Sequence, residues 1–280
     1  MGDVIRVRRL AGALGAEVVG VDLSNPTAEE MDAIRKAFVD NIVLVLRDQT
    51  LTPGQQVAFT SHFGPVRPHP LATRAGREGH PEVLVLENKA GQSGARNDWW
   101  HSDISFGEIP PAASVLYCLK STEGFGDTMF CNMYAAYEQL SETLQGMLSS
   151  LTAFHDSSKL AERAKSSPKS GLNPIEDIPP PAEHPVVRRH PDSGRLALYV
   201  NPYFTSSFAG MTVEESRPLL DYLNAQATRA ENIYRHSWHP GDVLMWDNRC
   251  AMHYGVYDYT QDQPRLMNRT TAGGERPAGP

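Results

Sequence analysis

Three residues of this chain carry side chains that could bind one metal ion: His101, Asp103 and His253. His101 and Asp103 are separated by one residue, and positions i and i+2 of an extended strand point to the same face. If this stretch is a strand, the imidazole and the carboxylate converge on one point. His253 follows an apolar strand and a turn far downstream, and it is the best candidate for a third ligand. Two histidines and one carboxylate with open coordination positions form the ligand set of non-haem Fe(II) oxygenases.

Each part of this hypothesis has a simpler alternative. In a chain of 280 residues with 10 histidines, an H-x-D tripeptide on its own is a weak signal. A single histidine beside a turn, such as His253, is more often a packed or surface residue than a ligand. The metal hypothesis therefore needs support from the rest of the chain.

Two arginines on the predicted last strand, Arg265 and Arg269, could bind an anion. Positions i and i+4 of a strand share a face, and two guanidinium groups facing a core are costly unless each meets an anion. A solvated strand face, or ion pairs with carboxylates of the protein itself, would explain the same pattern. The sequence leaves these alternatives open.

Composition places the chain among ordinary globular proteins, with 40% hydrophobic and 21% charged residues. Its formal net charge is −7, and scattered lysines and arginines give no basic footprint for nucleic acid or an anionic membrane surface. The three cysteines form no CxxC motif and are odd in number, so a disulfide framework is disfavoured and location in the reducing cytoplasm is expected. The N-terminus lacks the apolar core of a signal peptide, and no apolar run approaches the length of a membrane span.

Hydrophobic periodicity predicts many short strands and about four helices. Thr27 with Glu30, and Thr52 with Gln55, have the spacing of capping boxes at helix starts. Pro218 belongs in a first helical turn, which places the last helix at 217–228. The other helices are predicted at 27–40, 53–64 and 134–151. Strands are predicted at 4–10, 17–23, 42–46, 82–86, 113–119, 128–132, 186–189, 196–200, 232–239, 242–247, 251–257 and 265–271.

The order of these elements predicts the fold class. It shows no βαβ alternation, no GxGxxG and no Walker loop, so a doubly wound nucleotide-binding fold is disfavoured. We expect a mainly β protein with flanking helices (α+β), built on a double-stranded β-helix of the jelly-roll, cupin-like type. Residues 1–280 are expected to form a single domain. The polar, proline-rich stretch 157–183 is predicted to be an irregular lid, and the tail 273–280 is predicted to be loose.

Over residues 5–274 the chain resembles the taurine dioxygenase/2,4-dichlorophenoxyacetate dioxygenase family of Fe(II)- and 2-oxoglutarate-dependent enzymes. The order and spacing of several motifs make the resemblance specific. These motifs are Trp100-His101-Ser102-Asp103, Gly126-Asp127-Thr128, Ala135-Ala136-Tyr137-Glu138, His184-Pro185-Val186-Val187-Arg188, Trp246-Asp247-Asn248-Arg249 followed by His253, and Arg265 followed by Arg269.

The resemblance implies a role for eight residues of this chain. The iron ligands would be His101, Asp103 and His253. The 2-oxoglutarate carboxylate would be bound by Thr128 and by Arg265, whose planar fork suits a carboxylate. The residues that would contact the substrate are Arg269, His69 and Asn97. For His69 and Asn97 the simpler alternatives are a loop histidine and a turn-forming asparagine.

The reaction that the resemblance implies is hydroxylation of a small anionic organic substrate by O2, with release of succinate and CO2. An aryloxyalkanoate carboxylate or a sulfonate is expected, and a product hydroxylated beside a heteroatom would fragment. Taurine or an alkyl sulfate is the alternative, although Ala72 stands where the taurine enzyme has a substrate-contacting tyrosine. Asp103 excludes the related halogenases, which lack this carboxylate. We expect a cytoplasmic homo-oligomer, either a dimer or a tetramer.

Two other functions could use the same residues. A non-catalytic cupin-like protein could retain the metal site, although the presence of Arg265 beside all three ligands argues against it. A zinc hydrolase could use the three ligands as well, but it needs a general base near the metal, and the sequence offers none.

Overall fold

The computed structural model describes residues 5–68, 76–77, 79–88, 97–166, 179–260 and 262–280. The helices in this part of the chain are α1 Ala28–Asn41, α2 Pro53–Ser61, α3 Met133–Glu138, α4 Glu142–Ser149, α5 Ser158–Ser166, α6 Val213–Ala227 and a 3-10 helix at Ala230–Asn232. The strands are β1 Arg6–Arg9, β2 Ala16–Val19, β3 Val43–Leu46, β4 Gly76–Arg77, β5 His80–Asn88, β6 Ala113–Lys120, β7 Thr128–Asn132, β8 Thr152–His155, β9 Ala182–Pro185, β10 Val187–Arg189, β11 Leu196–Leu198, β12 Thr205–Phe208, β13 Ile233–His236, β14 Val243–Asp247, β15 Ala251–Gly255 and β16 Arg265–Ala272.

One large sheet and three small sheets contain these strands. The large sheet has the order β1-β2-β3-β14-β6-β16-β5-β4, and the sheet that faces it has the order β13-β7-β15. The other two sheets are β12-β8-β9 and β10-β11. We expected no βαβ alternation, and this is wrong for β2, α1 and β3. Strands β2 and β3 are parallel, and α1 supplies the crossover that a parallel pair requires.

Alternating side chains on the large sheet divide between two hydrophobic cores. Leu116 of β6 and Leu244 of β14 pack in one core with Phe130 of β7, on the side of the β13-β7-β15 sheet. Val115 and Met245, one residue along on the same strands, pack in the other core with residues of α1 and α2. Successive residues of a strand point to opposite faces, so this division follows directly from the near-continuous apolar runs.

Local capping signals define where the first helices begin. Thr27 is the N-cap of α1 and forms a capping box with Glu30. Thr52 does the same for α2 with Gln55, and Pro53 takes the first helical position. Both predicted helix starts are confirmed, because these signals depend on residues only three positions apart.

Helix α6 begins earlier than its proline suggested. The helix was predicted at 217–228, with Pro218 in the first turn. It starts at Val213, because Thr212 is its N-cap and forms a capping box with Glu215. Pro218 therefore lies inside the helix, where it removes one backbone hydrogen bond. The cap and the buried face of the helix outweigh that loss.

Two segments predicted to be irregular have regular structure or fixed contacts where the structure describes them. The ends of the predicted lid form α5 and β9, and residues 167–178 lie outside the described residues. The tail is not loose. The Arg189 N–H donates to the Ala278 carbonyl at 2.8 Å, and the Gly273 N–H donates to the Pro65 carbonyl at 2.8 Å. Such long-range backbone bonds leave no local signature in the sequence.

The described part of the chain is a mixed α+β structure that consists mostly of sheet. Among its helices, none combines the length and the apolar character needed to cross a membrane.

Candidate metal centre

The backbones of His101 and His253 pair directly with each other. The His101 N–H donates to the His253 carbonyl at 3.0 Å, and the His253 N–H donates to the His101 carbonyl at 2.8 Å. Their ring centroids are 4.1 Å apart. Residue His253 lies on β15, whereas His101 contributes only an isolated bridge next to that strand. This pairing brings two segments that are distant in the sequence to the same point.

Asp103 reaches the same point from a turn, not from a strand. We predicted that an extended strand would place Asp103 on the face of His101, and this premise is wrong because residues 103–106 form turns. Ile104 has a φ of 48°, a left-handed conformation that is unfavourable for a β-branched residue. The turn directs the carboxylate back towards the two imidazoles.

Buried polar side chains hold this turn in place. His184 Nε2 donates to the Ser105 and Gly107 carbonyls at 2.9 and 3.0 Å. The Ser105 hydroxyl lies 3.0 Å from His155 Nδ1 and 3.0 Å from Asn201 Nδ2. These contacts can offset the backbone strain at the residue after Asp103, since a strained conformation persists only when its surroundings fix it.

The three candidate ligand side chains are buried and converge. Exposure is 5% for His101, 4% for Asp103 and 3% for His253. The Asp103 Oδ1 atom lies 3.7 Å from His101 Nε2 and 3.8 Å from His253 Nε2. All three ligand atoms lie within 4.8 Å of one another. A single ion could therefore contact all three.

The electrostatics of these groups suit a divalent cation. His101 Nδ1 donates to the Trp99 carbonyl at 2.9 Å, which leaves Nε2 with a free lone pair. Burial lowers the pKa of both His101 and His253, so both imidazoles are neutral at pH 7 and each can offer a nitrogen lone pair to a metal ion. Burial also raises the pKa of Asp103, but Arg269, His253 and His101 together outweigh this effect and keep the pKa well below its usual range. His253 Nδ1 is buried without a hydrogen-bond partner among the described residues. Two neutral nitrogens and one carboxylate oxygen fit Fe(II).

Arg265 and Arg269 both lie on the inner face of β16, as their spacing predicted. Met267 lies between them and packs in the core that the large sheet shares with the β13-β7-β15 sheet. Arg269 Nη2 lies 2.5 Å from Asp103 Oδ2. The residues on either side of Met267 lie on the opposite face of the strand. Helix α2 covers this face, where Gln56 donates to the Thr270 hydroxyl at 3.3 Å.

Arg265 has no ion pair with any carboxylate in the described ranges. Its side chain is partly exposed, but its Nε is buried and has no partner there. Burial lowers the pKa of Arg265, and only Tyr259 and Cys118 oppose this effect. Gly126 lies against it, because a Cβ at that position would be 3.3 Å from Arg265 Nε. The guanidinium is thus held in place without a carboxylate partner in the part of the chain that the structure describes.

Thr128 stands two residues after Gly126 and is 5% exposed. Its Oγ1 accepts a hydrogen bond from Trp238 Nε1 at 3.0 Å. Because Trp238 can only donate, the Thr128 hydroxyl keeps its own proton for another acceptor.

The two remaining predicted substrate residues differ in outcome. Asn97 is exposed, and its Nδ2 lies 3.5 Å from His101 Nε2. It therefore borders the metal centre on the open side. His69 and Ala72 lie outside the described residues.

Aromatic side chains that the sequence analysis did not single out surround His101. The Phe204 ring lies 6.0 Å from the His101 ring and the Tyr203 ring lies 6.3 Å from it. Trp99 stacks on Tyr203 with centroids 4.4 Å apart, and Arg163 of α5 lies 3.9 Å over the Trp99 ring. Tyr203 and Phe204 follow no recognisable motif, so no local signal could have placed them here.

Ser114 and Asn248 were also missed as neighbours of Asp103. The Ser114 hydroxyl donates to Asp103 Oδ2 at 2.7 Å. Asn248 belongs to one of the motifs quoted above, but a motif does not show which side chain its members contact.

A second buried cluster, formed by His190, Asp247 and Cys250, also brings three possible ligand atoms within 4.8 Å of one another. The Arg249 guanidinium forms a bidentate ion pair with Asp247, with hydrogen bonds of 2.9 and 2.7 Å to the two carboxylate oxygens. His190 Nε2 lies 2.9 Å from Asp247 as well. The Arg249 guanidinium already neutralises the Asp247 carboxylate, so we assign this cluster a structural role in the turn between β14 and β15.

Comparisons with known proteins agree with this geometry. The family described as "Taurine catabolism dioxygenase TauD, TfdA family" matches residues 6–271. A Pseudomonas putida alpha-ketoglutarate-dependent sulfate ester dioxygenase is 36% identical, over 98% of this chain and 91% of that enzyme. A 2,4-dichlorophenoxyacetate dioxygenase from Cupriavidus pinatubonensis is 34% identical, over 86% and 88% of the two chains. The crystal structure of a taurine dioxygenase from Burkholderia xenovorans superimposes with a TM-score of 0.82 at 35% identity, covering 99% of this chain and 91% of that one.

The family match spans nearly the whole chain, and two relatives above 30% identity are covered over most of their length. The buried His-Asp-His cluster is the donor set that such enzymes require. This protein therefore belongs to the TauD/TfdA family, and it is a non-haem iron dioxygenase that depends on Fe(II), 2-oxoglutarate and O2.

Proposed function

We propose that this dioxygenase hydroxylates a small organic anion and that His101, Asp103 and His253 hold its Fe(II). The observation that carries this proposal is the convergence of three buried ligand atoms within 4.8 Å. On β16, four residues before Arg269, Arg265 has no carboxylate partner among the described residues. A metal site and an uncompensated cation together suit a metal-bound dicarboxylate.

The side chains of this protein divide the remaining work. Arg265 would pair with the far carboxylate of 2-oxoglutarate, and the Thr128 hydroxyl would donate to the same group. Fe(II) held by His101, Asp103 and His253 would supply the activation of O2, one oxygen atom of which goes to succinate as 2-oxoglutarate loses CO2 and the other to the substrate. Phe204, Tyr203 and Trp99 would shield one side of the site from water.

We infer that the substrate carries a carboxylate, a sulfonate or a related anionic group. Relatives described as acting on sulfate esters and on 2,4-dichlorophenoxyacetate support this class. Arg269 and Asn97, which border the metal centre, are the proposed substrate contacts, together with His69. Arg269 contacts Asp103 in the structure, so a substrate anion would have to share this guanidinium with the metal ligand.

Several features of the whole molecule support further proposals. The large sheet and the β13-β7-β15 sheet share one core, which favours a double-stranded β-helix of the jelly-roll type within a single domain. The three cysteines are free and buried, which favours the reducing cytoplasm. We also propose a homo-oligomer, a dimer or a tetramer. Light scattering that gives the molar mass of one chain would refute the last point.

The test is succinate formation from 2-oxoglutarate, with Fe(II) and O2, across matched pairs of compounds. Each pair compares an aryloxy acid, an alkyl sulfonate or an alkyl sulfate with its uncharged amide or alcohol. We expect at least one anion to raise succinate above the uncoupled background while its uncharged counterpart does not.

Three outcomes would contradict parts of the proposal. Equal stimulation by charged and uncharged members would exclude anion recognition. Metal binding without 2-oxoglutarate turnover would indicate a non-catalytic binding protein. Turnover retained in His101→Ala would refute the assignment of the ligands.

A further inference from the structure

The two oxygens of the Asp103 carboxylate have different surroundings. Oδ1 faces the Nε2 atoms of His101 and His253. Oδ2 accepts a hydrogen bond from Ser114 at 2.7 Å and lies 2.5 Å from Arg269 Nη2. Oδ1 is therefore the oxygen available to a metal, and Oδ2 is occupied by the protein.

The proton of Ser114 can point in only one useful direction. Ser114 Oγ accepts from Asn248 Nδ2 at 3.0 Å and from Arg269 Nη2 at 3.1 Å. Neither of these groups can accept a hydrogen bond, and together they use both lone pairs of the hydroxyl. Its single proton is thereby directed to Asp103 Oδ2. Ser114 is fully buried, so water does not compete for it.

The orientation of Asn248 is fixed as well. Its Oδ1 accepts from Trp246 Nε1 at 3.0 Å and from the Asp103 N–H at 3.3 Å. The amide nitrogen must then face Ser114. Asn248 contacts both the backbone of Asp103 and the Ser114 hydroxyl that binds the Asp103 side chain. Asn248 therefore links the Asp103 carboxylate to the end of β14.

We infer that Ser114 and Asn248 are positioning residues that keep Asp103 Oδ2 engaged and present Oδ1 alone to the metal. This inference rests on the proposed function, because it takes Asp103 as an iron ligand. A carboxylate free to rotate could offer both oxygens and occupy a position that 2-oxoglutarate or O2 needs. Partners of ligand side chains typically change metal affinity or activity by about 10- to 100-fold when they are removed.

The test measures the dissociation constant of Mn(II) for the full chain without metal, by calorimetric titration. In Ser114→Ala we expect this constant to rise by about 10-fold. Ser216→Ala is the matched control, because Ser216 is equally buried and its hydroxyl is also hydrogen-bonded, to the Phe208 N–H and the Thr212 carbonyl. The control should lose comparable thermal stability and bind Mn(II) like the wild type.

A second variant keeps the test decisive if Ser114→Ala does not fold. Ser114→Cys has the same shape and is only slightly larger, but it donates more weakly, so it should bind Mn(II) with intermediate affinity. Wild-type affinity in either Ser114 variant would overturn the inference and leave the ligand assignment intact. Absence of Mn(II) binding to the wild-type chain, or binding that survives in His101→Ala, would instead contradict the proposed function.

Discussion

Two arginines of one strand, four residues apart on the same face, have opposite electrostatic situations. Arg269 is neutralised by Asp103, its near neighbour at 2.5 Å. Arg265 has no carboxylate partner among the residues that the structure describes, and its Nε is buried without a hydrogen bond. The sequence left open whether these arginines pair with internal carboxylates. Internal pairing accounts for Arg269, whereas Arg265 still calls for an external anion.

We therefore expect Arg265→Ala to raise the KM for 2-oxoglutarate. Charge-assisted hydrogen bonds to a carboxylate contribute about 1.5–3 kcal/mol each, which corresponds to about 10- to 100-fold in KM. Steady-state succinate formation against 2-oxoglutarate concentration measures this. Arg265→Lys keeps the charge but loses the bidentate fork, so its KM should lie between those of the wild type and Arg265→Ala. A KM within twofold of wild type in Arg265→Ala would remove this residue from the co-substrate site.

At the scale of elements, the turn between β6 and β7 holds Arg265 from one side. Gly126 and Gly124 both have positive φ in this turn, at 69° and 79°. A Cβ at Gly126 would lie 3.2 Å from Tyr259 Cδ1 and 3.3 Å from Arg265 Cδ, whereas a Cβ at Gly124 meets nothing within 4 Å. The two glycines thus share a backbone requirement, but only Gly126 is buried and packs against Arg265.

Alanine at each glycine separates these two properties. Both Gly126→Ala and Gly124→Ala should lose about 1–2 kcal/mol of stability, because an L residue is strained at positive φ. Only Gly126→Ala should displace Arg265 and raise the KM for 2-oxoglutarate, with Mn(II) affinity unchanged. Thermal melts and kinetics of both variants provide the comparison. Equal KM values in the two variants would show that Gly126 does not position the arginine.

The elements also show which predictions a sequence allows. The capping boxes at Thr27 and Thr52 were predictable because both partners lie within one helical turn. Strand β15 was predicted at 251–257, but the hydrogen bonds that join His253 to His101 connect residues far apart in the sequence. The turn at Asp103 was mistaken for a strand because a two-residue spacing suits both conformations. Its cause is the set of contacts to Ser105 from β8, β9 and the segment before β12, and no local pattern reports such contacts.

At the scale of the whole molecule, the C-terminal segment joins distant parts of the fold. Beyond β16, Glu275 forms an ion pair with Arg188, whose guanidinium is almost completely buried and also lies 5.0 Å from the Tyr199 ring. The next residue, Arg276, pairs with Glu108 at 2.8 Å, and both of these side chains are mostly exposed. Adjacent residues of the tail thus form one ion pair with a buried member and one on the surface.

This contrast predicts different stabilities for two neighbouring alanine variants. Glu275→Ala leaves the Arg188 charge buried and unpaired, which should cost about 2 kcal/mol and lower the melting temperature by about 5 °C. Arg276→Ala removes a solvent-exposed pair, which contributes at most about 1 kcal/mol. Thermal unfolding of both variants in the same buffer measures the difference. If both variants melted near the wild-type temperature, the Arg188 charge would have to be compensated by groups other than Glu275, and this ion pair would not stabilise the fold.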